Sequence, residues 1–255
     1  MSKKILFINP LHTEAFDDDF RKQFAQYKSP DTVVDVVSFA GVGPTHIEYS
    51  CYEAMVIPEL IRTVKKAEED GYDAAIIGCF YDPALRACRE VAEKMVITGP
   101  AESALHIATT LGENFSIVVG RRKWIPEMKE NVHKYGFGHK LASFKSLELG
   151  VHDFQKDHEE TIRRIKKAAK EAIEQDGADV IVLGCTGEYG LFETLQEELG
   201  VPVIDASLAP FKYAEFLVEL KQSLAWTHSK LVGYQSPPAD EVEDFQLFQQ
   251  VSIKN

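Results

Sequence analysis

The chain has 255 residues, of which 45% are apolar and 27% charged, and its formal net charge is -12. This length and composition are those of a globular protein with one large domain or two small ones, long enough to bury a core. The acidic surface repels phosphate backbones and so argues against nucleic acid as a partner. A small anionic substrate is not excluded, because one local basic pocket is enough to bind it.

The first apolar run, Ile5–Ile8, is too short for a signal peptide or a membrane span. We therefore expect a cytoplasmic protein without membrane association, in which thiols stay reduced. Its four cysteines, Cys51, Cys79, Cys88 and Cys185, are then expected to be free. The lack of a Cys-x-x-Cys pair or a histidine-rich cluster in the sequence argues against zinc.

Short apolar runs rich in β-branched residues alternate with segments of helical spacing. The predicted strands are Lys4–Pro10, Thr32–Phe39, Ala74–Gly78, Met95–Thr98, Phe115–Val119, Val180–Leu183 and Val201–Ile204. The predicted helices are Glu59–Asp70, Ala84–Lys94, Ala101–Leu111, Thr161–Asp176 and Leu191–Leu199. Continuous apolar runs are typical of parallel strands buried on both faces. Their alternation with helices predicts an α/β fold built of βαβ units.

One pattern occurs twice in the chain. Gly71–Cys79 (Gly-Tyr-Asp-Ala-Ala-Ile-Ile-Gly-Cys) aligns without gaps with Gly177–Cys185 (Gly-Ala-Asp-Val-Ile-Val-Leu-Gly-Cys). Similar packing needs of two βαβ units would explain the shared glycine, aspartate and aliphatic residues, but not a Gly-Cys pair at the same place in both copies. We therefore predict two pseudo-symmetric Rossmann-like lobes, each with a mainly parallel sheet, and an active-site cleft between them.

The two Gly-Cys pairs each end a predicted strand and precede a helix. In open α/β sheets, ligands bind beyond the carboxyl ends of the strands, and a helix N-terminus favours a thiolate. Two thiols that face each other, Cys79 and Cys185, can remove a proton from one face of a carbon and return one to the other. This is the chemistry of a racemase. The other two cysteines, Cys51 and Cys88, are predicted to be small buried packing residues.

Several motifs carry a resemblance to a known family. Gly78–Leu85 (Gly-Cys-Phe-Tyr-Asp-Pro-Ala-Leu) is similar to a Cys-Phe-x-Asp-Pro-Gly-Leu segment, and Val182–Gly187 (Val-Leu-Gly-Cys-Thr-Gly) to a Leu-Gly-Cys-Ala-Gly-Met segment. Together with Ile8–Pro10 and Gly43–Glu48, they resemble the aspartate/glutamate/hydantoin racemase superfamily, and most closely its hydantoin and allantoin racemase branch. The match runs from about Ile5 to about Pro237, which is nearly the whole chain.

The resemblance implies a cofactor-independent racemase that uses Cys79 and Cys185 as its two bases, with no metal and no pyridoxal phosphate. The implied substrate is a 5-substituted hydantoin or a related cyclic ureide, a small molecule whose ring carbonyls acidify the proton that is removed. Homo-oligomers are also implied.

The resemblance further implies how the chain divides into lobes. The first lobe is expected over residues 1–100, completed by about 206–232, and the second over residues 101–205. A C-terminal tail is expected over residues 233–255.

Candidate substrate-binding residues lie near the predicted strand ends and in the family motifs. They are Asn9, Thr13, His46, Phe80, Thr98, Thr186 and Gly187. The Asn9 amide could hold a substrate carbonyl, although a turn before proline explains it equally well. Asp82 and Glu188 each follow a cysteine by three residues and are predicted to cap the next helix.

Departures from the family pattern leave alternatives open. Leu11–Phe16 replaces a polar loop, Thr186 replaces an alanine as in amino-acid racemases and maleate isomerases, and Glu188 replaces a methionine. Arg121 and Arg122 could bind an anion or belong to a solvated basic face. The alternatives are an aspartate/glutamate-type amino-acid racemase and a maleate-type cis-trans isomerase with one nucleophilic cysteine. A ligand-binding protein that has lost turnover is less favoured, because both Gly-Cys motifs are intact.

Overall fold

A computed structural model of the protein describes residues 2–248. Its strands are β1 (Lys3–Asn9), β2 (Thr32–Ser38), β3 (Ala74–Ile77), β4 (Val96–Thr98), β5 (Phe115–Val119), β6 (Leu141–Ser146), β7 (Val180–Leu183) and β8 (Val203–Ile204). Its helices are α1 (Asp17–Tyr27), α2 (Ser50–Glu69), α3 (Leu85–Val91), α4 (Pro100–Leu111), α5 (Ile125–Lys134), α6 (His158–Asp176), α7 (Phe192–Leu199), α8 (Leu208–Leu224) and α9 (Ala239–Asp244). No helix in this described range is long and apolar enough to cross a membrane.

The strands form two four-stranded parallel sheets with the same connectivity. The strand order is β2-β1-β3-β4 in the first sheet and β6-β5-β7-β8 in the second. The two central strands of each sheet, β1 with β3 and β5 with β7, are almost entirely buried. These strands are the continuous apolar runs of the sequence, so the predicted α/β class with two repeated parallel sheets is confirmed.

The chain divides into two compact units. Within the described residues, the first comprises the chain up to Gly78, Pro83–Gly99 and the chain from Phe211, and the second comprises Cys79–Asp82 and Pro100–Pro210. The first unit holds β1–β4 and the second holds β5–β8. The short segment Cys79–Asp82 directly follows β3, yet it belongs to the second unit, since its side chains pack into the core of that unit.

Each unit has its own apolar core. In the first unit, four phenylalanines from β1, α1 and α8 pack together with tilted rings whose centroids are 4.7–5.0 Å apart; they are Phe7, Phe20, Phe24 and Phe211. In the second unit, β5 and β7 are covered by the apolar face of α6, which buries Ile165, Ala169 and Ala172 at helical spacing. The N-terminus of α6 is capped by the Asp157 carboxylate, which accepts the Glu160 N–H at 3.0 Å.

Some elements of the fold were not predicted from the sequence, or were predicted with the wrong bounds. Strand β6 was not predicted, because it lies at a sheet edge and each of its residues is only half-buried, so it has no continuous apolar run. Helix α2 begins at Ser50, nine residues before the predicted Glu59, since the helix continues through Pro58. Proline usually marks a helix start or a break. Helices α1 and α5 were also not predicted.

The earlier start of α2 corrects one of the cysteine predictions. Cys51 lies in the first turn of α2 and is exposed, so the prediction of a buried packing residue was wrong for it. Cys88 lies inside α3 and is fully buried, as predicted, and burial raises the pKa of its thiol to about 12. All four cysteines are free.

The C-terminal segment is bonded to β4 and α3 of the first unit, to which it belongs. The His228 imidazole accepts the Ile97 N–H at 3.0 Å, and the Tyr234 hydroxyl accepts from Arg89 at 3.1 Å. The Ser236 hydroxyl donates to a main-chain carbonyl of α3 at 2.8 Å. Of the predicted tail over residues 233–255, residues 249–255 lie outside the described part of the chain.

The glycines before the two cysteines allow a close approach of neighbouring strands. The Gly78 N–H donates to the Ile8 carbonyl at 2.8 Å, and the Gly184 N–H donates to the Val118 carbonyl at 2.7 Å. A Cβ atom would lie only 2.6 Å from the Ile8 oxygen at Gly78, and 2.8 Å from the Val118 oxygen at Gly184. Only glycine therefore fits between the strand and the cysteine in either copy of the pattern.

We expect Gly184→Ala to lower the free energy of unfolding by about 1–3 kcal/mol, because the added methyl group must push the β5 carbonyl away. Urea unfolding followed by circular dichroism measures the change. Gly233→Ala is the control, since a Cβ there meets no atom within 4 Å and should leave the midpoint unchanged. Equal midpoints for the two variants would contradict this packing argument.

Candidate active site at the two Gly-Cys strand ends

Cys79 follows β3 and opens a tight turn. Its side chain is half-buried and packs against the core of the second unit, where Phe80 and Tyr81 are buried. The Asp82 N–H donates to the Cys79 carbonyl at 3.0 Å, which closes the turn. The Asn131 amide donates to the Tyr81 carbonyl at 2.7 Å and ties the turn to α5. These two hydrogen bonds, one within the turn and one to α5, fix the main chain that carries the thiol.

The Asp82 carboxyl is the hydrogen-bond acceptor that organises this turn. It accepts the N–H groups of Ala101 at 3.0 Å and Glu102 at 2.8 Å, and the Tyr135 hydroxyl at 2.8 Å. Asp82 was predicted to cap the helix that follows it, α3, but it caps α4 instead. Burial raises the pKa of the Asp82 carboxyl to about 7, against the opposing effect of the three donors.

Two residues of the turn have left-handed backbone angles without being glycine. Asp82 has φ +50° and Ala84 has φ +53°. Aspartate tolerates this region better than alanine, because its side chain can bond locally. The family pattern has glycine at the position of Ala84, which is where the backbone requires it.

We expect Ala84→Gly to raise the free energy of unfolding by about 0.5–1 kcal/mol, since glycine adopts this φ without steric cost. Thermal and urea unfolding measure the gain. The matched control is Ala87→Gly inside α3, where glycine should destabilise by about 1 kcal/mol. A loss of stability in Ala84→Gly would mean that the left-handed turn is not formed in the protein.

Cys185 follows β7 and begins a short 3₁₀ turn over Thr186–Glu188. Its side chain is half-buried, like that of Cys79, and packs against the same core. The Gly187 N–H donates to the Cys185 sulfur at 3.4 Å, and a donor in this position stabilises the negative charge of a thiolate. The Gln155 amide donates to the Gly187 carbonyl at 2.9 Å and fixes the turn from outside.

Glu188 completes this turn from inside the core. It is fully buried, and its Oε2 accepts the Cys185 N–H at 3.1 Å. Its Oε1 is buried without a hydrogen-bond partner. Burial raises the pKa of the Glu188 carboxyl well above its usual range, and the nearby Asp205 carboxylate adds to the rise. Glu188 was predicted to cap the following helix; it caps the 3₁₀ turn over Thr186–Glu188, where its side chain accepts the N–H of Cys185 in a capping box.

Asp205 is a polar residue of this region that is not among the predicted site residues. It follows β8 and accepts the N–H groups of Ser207 at 2.8 Å and Leu208 at 3.0 Å, which caps α8. An aspartate two residues before serine at a helix start is a recognisable capping pattern. The role of Tyr135 at Asp82 has no comparable signal in the sequence.

The other predicted binding residues divide between the two units. Phe80, Thr186 and Gly187 lie in the second unit with both cysteines, whereas Asn9, Thr13, His46 and Thr98 lie in the first. The ring of Phe80 is buried in the core, and Thr186 is half-buried. Both polar main-chain groups of Gly187 are bonded within the protein, its N–H to the sulfur and its carbonyl to Gln155.

In the first unit, Asn9 is buried and orders the loop after β1. Its amide donates to the Ser38 hydroxyl at 2.9 Å and to the Thr13 carbonyl at 3.3 Å. Thr13 and His46 are half-buried, and the His46 ring packs on Tyr52 at 5.5 Å. Thr98 is fully enclosed at the end of β4.

Of the basic residues after β5, Arg122 and Lys123 are exposed and Arg121 is half-buried. Arg122 is 83% exposed and pairs with Glu148 at 3.0 Å, which fits a solvated basic face. Among residues 2–248, no group of three or more His, Cys, Asp or Glu side chains is placed to hold a metal ion.

Comparison with known proteins agrees with this geometry. The family model Asp/Glu/Hydantoin racemase matches residues 5–214. A hydantoin racemase from Pseudomonas sp. (strain NS671) is 37% identical over 93% of this chain and 93% of that protein. A hydantoin racemase from Paenarthrobacter aurescens is 38% identical over 92% of this chain and 97% of that protein. The solved allantoin racemase from Klebsiella pneumoniae has a TM-score of 0.85 and 30% identity, and the match covers 93% of this chain and 94% of that one.

Two parallel α/β sheets of equal connectivity, each with a Gly-Cys pair at a central strand end, define an isomerase of the racemase class that acts on a small molecule. The chain belongs to the Asp/Glu/hydantoin racemase family. The resemblance inferred from the sequence motifs is thereby confirmed.

The raised pKa of Asp82 predicts how stability depends on pH. The folded protein holds the Asp82 proton up to about pH 7, whereas an unfolded aspartate loses it near pH 4, so the contribution of Asp82 to stability falls as pH rises between these values. Asp82→Asn cannot ionise and should lack this fall. We therefore expect the unfolding free energy of the variant to gain on wild type by about 2–4 kcal/mol between pH 4 and pH 7. Unfolding free energies are measured by urea unfolding at each pH. A constant difference between wild type and variant from pH 4 to pH 7 would contradict the raised pKa of Asp82.

Proposed function

We propose that the protein racemises a 5-substituted hydantoin or a related cyclic ureide, with Cys79 and Cys185 as the two bases on opposite faces of the substrate. The observation that carries this proposal is the repeated geometry of the two cysteines. Each follows a glycine at the carboxyl end of a central parallel strand, each is half-buried, and both pack against the core of one unit. The racemase relatives named above supply the substrate class.

The proposed reaction is a proton exchange at the C5 carbon of the ring. The thiolate of one cysteine takes the C5 proton, and the electron pair left on carbon is delocalised into the adjacent ring carbonyl as an enolate. The thiol of the other cysteine then donates its proton to the opposite face of C5, which inverts the centre. One sulfur has gained a proton and the other has lost one, so the opposite enantiomer is processed with the roles exchanged.

The hydantoin ring suits this chemistry, because its two carbonyls and ring nitrogens acidify the C5 proton. A thiolate is then a strong enough base, and we propose that neither a metal nor an organic cofactor takes part. At Cys185, the Gly187 N–H at 3.4 Å from the sulfur supports the charged form of the base. A general acid–base pair of this kind contributes about 10²–10⁴-fold to the rate.

We propose that the half-buried predicted residues contact the substrate and that the buried ones shape the site. The Thr186 hydroxyl is half-buried beside Cys185 and is proposed to contact the ring. The half-buried Thr13 and His46 are proposed to contact the substituent or the ring edge. The enclosed side chains of Asn9, Phe80 and Thr98 are proposed to shape the site from behind.

The test is proton NMR in D2O, which follows exchange and inversion at the stereogenic carbon. We expect wild type to exchange and racemise a 5-substituted hydantoin, and Cys79→Ala and Cys185→Ala each to lose inversion by at least about 10²-fold, because one face then lacks its acid or base. Each single variant can still exchange the proton of one enantiomer through the remaining thiol. Cys51→Ala removes an exposed cysteine on α2 and serves as the control with wild-type rates.

The substrate panel separates the alternatives. Allantoin, aspartate, glutamate and maleate are run beside the hydantoins. Turnover of an acid with none of any hydantoin would replace the proposal with an amino-acid racemase or a cis-trans isomerase. Wild-type inversion by either Cys→Ala variant at the proposed bases would overturn the two-base mechanism.

We also propose that the enzyme acts in the cytoplasm as a homo-oligomer. The four free cysteines, one of them exposed on α2, fit a reducing compartment. Light scattering of the purified protein at the mass of a single chain would contradict the oligomer, and an enzyme found outside the cytoplasm by cell fractionation would contradict the compartment.

A further inference from the structure

The two cysteines have equivalent positions but different carboxyl neighbours. Each is followed, three residues later, by a buried acidic side chain, Asp82 in one copy and Glu188 in the other. The Asp82 carboxyl is committed to other groups: two N–H groups of α4 and the Tyr135 hydroxyl. In the second copy, the corresponding helix α8 is capped by Asp205, so the Glu188 carboxyl is left to the cysteine turn itself.

Within that turn, carboxyl and thiol are held by neighbouring main-chain donors. The Cys185 N–H donates to Glu188 Oε2 at 3.1 Å, and the Gly187 N–H donates to the Cys185 sulfur at 3.4 Å. The other carboxyl oxygen, Oε1, is buried and has no hydrogen-bond partner. A carboxylate with one of its oxygens desolvated and unpaired is costly to form, so this turn accepts negative charge reluctantly.

The titratable groups around Glu188 supply no compensating positive charge. Asp205 on the loop before α8 adds negative charge when ionised, and a thiolate at Cys185 on the same turn would add a second. The segment that packs on the turn from outside brings the Phe154 ring against Gly187. In that segment, Asp153 forms an ion pair with Lys156 at 2.8 Å, and Lys156 and His152 both lower the pKa of the Asp153 carboxyl. In the described part of the chain, no lysine or arginine forms an ion pair with Glu188.

We propose that Glu188 is a positioning residue for Cys185: its carboxyl group holds the cysteine main chain and competes with the thiol for a single negative charge. The reactivity of Cys185, and not that of Cys79, then depends on the protonation of this carboxyl. Two acids so close together titrate as a coupled pair, in which ionisation of one opposes ionisation of the other. The inference rests on the proposed function only in taking Cys185 as one of the two bases.

The consequence for the enzyme is an inequality between its two bases. A neutral Glu188 leaves Cys185 able to ionise, whereas an ionised Glu188 keeps the thiol protonated. The two thiols therefore differ in the pH range over which each is available as a base. The methionine that the family pattern has at this position could not produce this difference.

The test measures the thiols directly and needs no substrate. The full-length protein is alkylated with iodoacetamide at a series of pH values, and the rate at each cysteine is read by mass spectrometry of its peptide. Wild type is compared with Glu188→Gln, which keeps an oxygen acceptor but cannot ionise, and with Glu188→Met, which is neutral and has no such acceptor. Exposed Cys51 gives the reference rate, and buried Cys88 reports any loosening of the fold.

We expect Glu188→Gln to lower the pH midpoint of Cys185 alkylation by about one pH unit, because the competing charge is gone. Relative to Cys51, the Cys185 rate at neutral pH then rises by up to about 10-fold. Glu188→Met should shift the midpoint in the same direction, and Cys79 should keep its wild-type profile in both variants.

Three outcomes would overturn the proposal. The first is a Cys185 midpoint that is the same in wild type and Glu188→Gln. The second is a shift in Glu188→Met alone, which would reduce Glu188 to a main-chain acceptor. The third is an equal shift at Cys79 or new reactivity at Cys88, which would indicate general loosening. Because no substrate is used, failure of the hydantoin assignment would leave this result interpretable.

Discussion

The close contact between neighbouring strands at the two glycines is the constraint on which the site depends. At Gly78 and Gly184 there is no room for a Cβ atom beside the carbonyl oxygen of the adjacent strand. The N–H groups of both glycines complete the ladder to that carbonyl, and the chain leaves the sheet at the next residue. Each cysteine therefore follows the glycine at the carboxyl end of a central strand, which is where parallel α/β sheets bind their ligands. A larger residue at either glycine would displace both the strand and the thiol.

Although the two cysteines have equivalent positions, the buried carboxyl groups that follow them have different hydrogen-bond donors. Asp82 is satisfied by a helix N-terminus and a tyrosine hydroxyl, which are donors from distant parts of its unit. Asp205 takes the corresponding helix cap in the other half, and Glu188 accepts from the main chain of the cysteine turn. Burial without a positive partner disfavours the charged form of a carboxyl group. Pseudo-symmetry of the fold thus does not make the two thiol environments equal.

The elements that the sequence pattern missed or misplaced differ from the rest for specific physical reasons. Apolar runs find strands that are buried on both faces, and they miss β6, an edge strand whose residues are all half-buried. Pro58 misplaced the start of α2 and, with it, the burial of Cys51, because a proline inside a helix is an exception that tertiary packing can permit. Asp82 was expected to cap α3 but caps α4, since sequence distance was the only guide to its partner.

The sequence by itself determined the alternation of strands and helices, the repeat and the two Gly-Cys pairs. These features are local, because a strand buried on both faces must be apolar along its length and a close strand contact must contain glycine. Only the tertiary structure decided which donors each buried carboxyl group meets, and that Cys79–Asp82 packs with the second unit. Ala101 lies 19 residues from the Asp82 carboxyl that accepts its N–H. No local pattern specifies a partner at that distance, because the fold of the whole unit brings the two groups together.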